Sequence, residues 1–368
     1  MIFTIQRDPL FLALQQVQST VAKRNSMPIL TNILCEVKNG NLSLSATDME
    51  VGMRLTFPVE AKQEGRVTLA ANHFLDIIKE LPSQLVSFTK KDNNWVELVS
   101  GRSRFNIVSM AADEYPELPK FEEQKYNEAR IDSLKEMIDR TLFSVSTDAT
   151  RYLLNGVYFE NLENGVMRMT GTDGSRLSYV DKEVFLTPVE IKRGIVIPKK
   201  GLIELRKILE SAGTSIGIAI EKGHLFAKNQ DTYLFVRLME GEYPNYRQII
   251  SKTVDCVMKL STKGFTAALK RVSLLAHEKS RGVKFAIQAG ALTISSSNPD
   301  MGEAVEEMDI DYSGEPVEIG FNAKYLLDCL SVTESEQLEF FFKDRMSPGI
   351  MRGSDHQNHT YVIMPMRL

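Results

Sequence analysis

Three stretches of this 368-residue chain line up at a common spacing of about 125 residues: 42–52 (LSLSATDMEVG), 167–177 (MRMTGTDGSRL) and 292–302 (LTISSSNPDMG). Asp48, Asp173 and Asn298 fall in register. Each stretch alternates apolar and polar residues, as a half-buried strand does. A second apolar strand precedes each copy, at residues 30–37, 154–160 and 283–288. Before that comes a helical pattern, with Leu10, Leu14, Val17 and Val21, then Leu134, Met137 and Ile138, then Phe265, Leu269 and Val272. An acid or amide where an apolar strand turns back most simply caps backbone N–H groups.

The later half of each unit repeats as well. Residues 67–81 match 195–209 and 318–331, each a short strand running into a helix. Asn72 is expected to cap the first of these helices, and Pro82 to stop it. The late strands at 104–116 and 232–244 both end in Glu-Tyr-Pro, whereas the third copy stops at the C-terminus before that motif. The expectation is three tandem α+β domains over 1–120, 128–247 and 253–368. Each has two helices packed on antiparallel sheets of roughly eight strands.

Chemistry-bearing constellations are scarce. There is no Gly-x-x-x-x-Gly-Lys-Ser/Thr loop and no Gly-x-Ser-x-Gly elbow. Three scattered cysteines, 35, 256 and 329, exclude a disulfide scaffold or a cysteine-based zinc site and fit a reducing cytoplasm. His356 and His359 are the only histidines at ligand-like spacing, and they read as a solvated hairpin loop rather than a metal site. No catalytic residue, metal or cofactor is expected. No apolar run is long enough to span a membrane, and the N-terminus does not read as a signal peptide.

The formal net charge is −4, so any nucleic-acid contact needs a segregated face. Residues 199–209 place Lys199, Lys200, Arg206 and Lys207 opposite Leu202, Leu205 and Leu209. Lys263, Lys270 and Arg271 repeat the pattern, and the first helix runs out into Lys23 and Arg24. Such faces are either ordinary solvated helix surface or, taken across the repeat, one positive surface following a phosphate backbone. Asp300, Glu303, Glu306 and Glu307 are an acidic counterpart to Lys90, Lys91, Arg102 and Arg104 near the other end of the chain. That polarity suits head-to-tail association, which can close into a ring. The C-terminus is an apolar strand ending in Met364, Pro365 and Met366, residues suited to an adaptable peptide groove.

Over its whole length the sequence resembles the bacterial DNA polymerase III beta subunits, the sliding clamps. The likeness rests on the triple repeat and on Met27-Pro-Ile-Leu30, Ala46-Thr-Asp48, Arg151-Tyr-x-Leu-Asn-Gly156, Thr172-Asp-Gly-x-Arg-Leu177, Glu242-Tyr-Pro-x-Tyr-Arg247, Glu278-Lys-x-Arg-Gly-Val283 and Met364-Pro-Met-Arg-Leu368. The resemblance implies a head-to-tail homodimeric ring that encircles duplex DNA without sequence preference and confers processivity without catalysis. Its partners would be the replicative polymerase alpha subunit, the clamp loader, translesion polymerases and repair proteins, bound through short peptides.

Carried over by motif, the peptide pocket would comprise Leu154, Thr172, Gly174, Ser175, Arg176, Leu177, Pro244, Arg247, Ile249, Val362, Met364, Pro365, Met366 and Arg367, with arginine at its rim. Arg24, Tyr152, Lys199, Lys200 and Arg206 would meet DNA. Arg102, Arg104, Leu274, Leu275, Asp300, Glu303, Glu306 and Glu307 would form the ring interface. Ser175 departs from the family's common His. Gln248 replaces a frequent second basic residue, and Leu153 replaces a second aromatic. The competing readings are a clamp-like scaffold that does not close on DNA, and a repeat-built enzyme or ligand-binding protein.

Overall fold

The computed structural model describes residues 1–22, 27–82, 84–120, 125–187, 189, 191, 193–211, 213–250 and 256–367. The chain sorts into two compact units. The first holds Met1–Ile131, Phe185–Thr187 and Lys200–Leu238, and the second holds Asp132–Val184, Pro188–Lys199 and Met239–Leu368. The central repeat thus contributes strands to both.

In the first unit an eight-stranded antiparallel sheet runs in the order Asn127–Arg130, Ser215–Glu221, His224–Lys228, Thr232–Arg237, Val51–Pro58, Asn41–Thr47, Asn32–Lys38, Gly65–Ala70. A five-stranded sheet is ordered Glu60–Gln63, Ile2–Gln6, Leu85–Lys90, Trp95–Ser100, Ser103–Val108. Alternation explains the burial: Leu42, Leu44 and Ala46 face inward from one strand, while Leu10, Leu14 and Val17 make one stripe of the helix Arg7–Gln18. Each such leucine contributes on the order of 1.5–3 kcal/mol of burial. Phe3 stacks on Phe88 at 4.7 Å, and Phe74 of the helix Ala71–Glu80 meets Phe88 edge-on.

That helix ends before Pro82, as expected, but Asn72 does not cap it. The cap position is Ala70, and the Asn72 amide oxygen instead accepts from Gln18 Nε2 at 2.6 Å, tying two helices together. In the third repeat an asparagine does occupy the cap, where Asn322 Oδ1 accepts from the N–H groups of Lys324 and Tyr325.

The second unit has its own eight-stranded sheet: Ile195–Pro198, Gly156–Asn161, Val166–Thr172, Arg176–Glu183, His356–Ile363, Gly349–Gly353, Gln337–Phe342, Cys256–Ser261. A four-stranded sheet runs Gly302–Asp309, Ala291–Asn298, Gly282–Gln288, Val317–Asn322. Phe265, Phe285, Phe321 and Phe340 pack ring on ring at its centre, beneath the helices Thr262–Val272 and Ala323–Leu330.

The repeat is exact in its turns. Asp48 Oδ1 accepts from the N–H groups of Glu50 and Val51, Asp173 Oδ1 from Ser175 and Arg176, and Asn298 Oδ1 from Asp300. In each turn one side-chain oxygen accepts from backbone donors, which is the capping role the sequence suggests. The Glu-Tyr-Pro tyrosines are equivalent too. Tyr115 donates to the Ser45 carbonyl, and Tyr243 donates to that of Thr170, one repeat further on.

Candidate functional site

Most of the expected peptide pocket converges in the second unit. The strand Arg176–Glu183 pairs with His356–Ile363 so that Leu177 lies opposite Val362, and the Met364 N–H donates to the Ser175 carbonyl at 2.9 Å. Leu177, Val362, Tyr246, Tyr179 and Ile350 form one apolar cluster, with Ile249 packed at its side. Pro244, Met364 and Arg367 are exposed beside it, and Pro365 and Met366 are half-buried. Met366 also exchanges a backbone bond with Gly320, which anchors the tail. Thr172 is buried and accepts from the Gly174 N–H while donating to the Arg176 carbonyl. Gly174 has φ +90°, a conformation glycine adopts freely, although Met49 holds the equivalent position of the first repeat at φ +75°. Leu154 sits in the turn that passes its carbonyl to the Ser146 N–H.

Arg176 and Arg247 differ in kind. Arg176 is not a rim residue. It is buried, with Nη1 2.6 Å from Asp328, Nε 3.0 Å from Asp173 and Nη2 donating to the Phe143 carbonyl at 2.7 Å. The Tyr325 ring lies 4.4 Å from its guanidinium carbon. Every side of the fork is held, so its work is to fix the turn. Arg247 is the rim cation, its side chain 59% exposed and paired with Glu160 at 2.8 Å.

Residues that sequence reasoning did not select complete the wall. Tyr158 stacks on Tyr243 at 4.9 Å and meets Tyr246 edge-on at 6.4 Å. Tyr246 donates to Glu160, which also takes the Arg247 bond. Burial, and then the hydrogen bond to Glu160, push the Tyr246 phenol above its usual range. The bond to Tyr246, with the charge of Glu160, pushes the Arg247 guanidinium up. The Glu-Tyr-Pro-x-Tyr-Arg motif carried this signal, because both of its tyrosines, and not only Pro244 and Arg247, pack with Tyr158 in this region.

The basic candidates are more tied down than a free stripe. Lys200 is ion-paired with Asp48, and Arg206 reaches Glu210 at 3.1 Å along its own helix. Another acid of that helix, Glu204, is buried. It accepts from Ser19 and pairs with Lys207 at 3.0 Å. Lys199 is half-buried, and Tyr152 is 56% exposed. Arg24 lies outside the described residues.

The two sheets each end in an outer strand. Ser103–Val108 leaves Arg102, Arg104, Phe105 and Val108 exposed, although Arg104 approaches Glu97 at 3.8 Å. Gly302–Asp309 leaves Glu303, Val305 and Glu307 exposed, near exposed Asp300. Leu274 is 74% exposed and Leu275 half-buried. Glu306 differs from its neighbours, being held by Arg271.

His359 corrects the loop reading, since it is buried within the strand His356–Ile363. Its ring lies between Arg140, at 3.4 Å, and Ser178, at 3.3 Å. Strand alternation turns it inward, while the hairpin turn falls earlier in the segment. Among the described residues no group of three or more His, Cys, Asp or Glu could hold a metal ion, and no helix is long and apolar enough to cross a membrane. Burial pushes the Cys35 thiol up to about 12 and also raises that of Cys329, so neither is poised for nucleophilic chemistry.

Three family models match consecutive stretches: the DNA polymerase III beta subunit N-terminal domain over residues 1–119, its central domain over 128–245 and its C-terminal domain over 247–367. The chain is 32% identical over 367 residues to the beta sliding clamp of Pseudomonas aeruginosa, with all of both chains covered. It is 34% identical over 371 residues to that of Caulobacter vibrioides, with 99% of each covered. The crystal structure of the DNA polymerase sliding clamp from Bacillus subtilis superposes with a TM-score of 0.94 at 32% identity, covering 100% of this chain and 99% of that one.

Proposed function

The chain belongs to the DNA polymerase III beta subunit family, and from that premise we propose how its parts serve a sliding clamp. Its function is that family's: a non-catalytic processivity factor of DNA replication. We assign three clamp domains, 1–120, 128–247 and 253–368, which the turn-for-turn repeat supports. The finer reading is a cytoplasmic homodimer closed into a ring around duplex DNA.

One observation carries the ring. The two outer strands, Ser103–Val108 and Gly302–Asp309, both expose apolar side chains, and one is flanked by arginines where the other is flanked by acids. An exposed apolar edge strand pairs with another edge unless it is blocked. Head-to-tail pairing of these two edges would cover both, with the sign of charge selecting the register. Topological enclosure needs few tight contacts, which agrees with a negative net charge and with lysines and arginines already engaged by acids. Lys199, Lys200, Arg206 and Tyr152 then serve as a loose track, where salt-sensitive phosphate contacts permit sliding.

The groove around Leu177 and Val362 is assigned to linear peptides of the polymerase alpha subunit, the clamp loader, translesion polymerases and repair proteins. A leucine or aromatic anchor would fill the apolar floor, and Arg247 would meet a polar or acidic group at the rim. Light scattering together with retention on circular and linearised DNA tests the ring. A particle of twice 41.5 kDa that stays on circles and leaves linear ends is the expected result. A monomer, or equal retention on both, overturns the ring.

A further inference from the structure

The first unit contains a cavity of about 390 Å³ on its large sheet, at a ladder position that the second unit builds differently. In the second unit Arg168 lies opposite Asp181 in the ladder, and the two are joined by a pair of 2.6 Å hydrogen bonds. The guanidinium sits 4.1 Å from the centre of the Tyr179 ring. One repeat earlier the same ladder position pairs Ser43 with Thr56, joined by a single 3.0 Å hydrogen bond, and Arg54 stands where Tyr179 would be. Two short hydroxyls stand where the second unit has an ion pair, and one of them, Thr56, lines the open volume.

What lines it has a consistent chemistry. Arg54, Lys120 and Lys228 face the cavity against a single acid, Asp231, and Tyr126 and Tyr233 add two phenol rings. Ser45 accepts from Arg54 Nε at 3.2 Å, and Tyr233 donates to the Pro119 carbonyl, so a cation and a ring are held in place by the scaffold. The volume falls in the range of small-molecule sites. A guanidinium and two ammonium groups favour a phosphate, and aromatic walls favour a flat ring system. We propose that this cavity is a binding site for a small phosphorylated ligand of mononucleotide size, with Arg54 and Lys228 on its phosphate and the tyrosines beside its base.

The test is calorimetric titration of the full-length protein with thymidine monophosphate, thymidine and inorganic phosphate. The monophosphate is expected to bind below about 1 mM, and each of the other two at least about tenfold more weakly. Arg54→Gln with Lys228→Gln is expected to weaken the monophosphate at least about tenfold. Ser43→Arg with Thr56→Asp, which rebuilds the ion pair of the second unit, is expected to abolish binding. Should that plugged variant fail to melt cooperatively, the variant with Arg54→Gln and Lys228→Gln decides alone. No heat with the monophosphate overturns the site, as does unchanged affinity in a folded variant. Equal affinity for inorganic phosphate or for thymidine overturns the assignment of the ligand.

Discussion

Two seams in this molecule share one ladder register and differ in chemistry. In the first unit Val236 lies opposite Val51 and Phe235 opposite Gly52. In the second, one repeat on, Ile363 lies opposite Arg176 and Val362 opposite Leu177. Even the exit bond is shared, because Arg237 N–H donates to the Glu50 carbonyl where Met364 N–H donates to that of Ser175. At the first seam the Phe235 ring fills the space beside Gly52 and is covered by Leu118, so the apolar surface is closed from within. At the second, Leu177 and Val362 are buried in a cluster with Tyr179, Tyr246 and Ile350, and Met364 and Pro244 are exposed. The backbone of a repeat is reused with different side chains, so a difference in function between the copies lies in the residues each seam carries.

The largest way to break this comparison is Arg176→Met. It removes the clamp on Asp173, Asp328 and the Phe143 carbonyl, and although Asp328 keeps Lys324 and Asp173 keeps its backbone donors, the loss is expected to be on the order of 3 kcal/mol in urea unfolding. Val51, its counterpart, holds no such network, so Val51→Ala is expected to cost only a trimmed core residue, at the low end of about 1–3 kcal/mol.

Next is Gly52→Leu, which would give the first seam the second seam's residue. Its Cβ would fall 2.1 Å from the Phe235 ring, and overpacking is expected to cost about 1–3 kcal/mol or more in thermal unfolding. Adding Phe235→Val should recover part of that loss, and no recovery would show that the two positions are not coupled.

Leu177→Ala sharpens the functional side. It empties the groove floor and is expected to weaken a polymerase-derived peptide by at least about tenfold in fluorescence anisotropy, while the dimer persists. Undiminished affinity would remove the groove assignment.

The smallest effect concerns the outer strand. Arg271 holds the Glu306 carboxyl below its ordinary range, chiefly through their hydrogen bond. A lowered folded value means the pair's contribution is present above the ordinary carboxylate range and lost as pH falls through the folded value. The pair is exposed and salt-screened, so acid titration of Arg271→Ala should differ from the parent only slightly and only at low salt. A large difference would show that this strand carries more than a surface pair.

The repeat, its strands and its turns were legible because each depends on local rules. Alternation sets the faces of residues 42–47, and an Asp or Asn at a strand end finds nearby N–H donors whatever lies further away. The groove was legible only in part. Leu177, Val362 and Met364 are marked by pattern, but the bond of Glu160 to both Tyr246 and Arg247 joins residues far apart in the chain, and no spacing announces it. The same limit separates Arg176 from Arg247, since two arginines in similar motifs differ by whether Asp328 and Phe143 come within reach.

By itself, then, the sequence determined three copies of one α+β unit, their capped turns, the absence of a catalytic constellation and the family. These properties follow from periodicity and short-range hydrogen bonding. Tertiary structure alone decided that Lys200 spends its charge on Asp48, that His359 points inward beside Arg140, and that the Phe235 ring fills the space beside Gly52 where, one repeat on, Val362 faces Leu177. Such outcomes depend on side-chain volumes and partners brought together across long stretches of chain, where a Gly52 or a Leu177 acquires meaning only from the residue facing it.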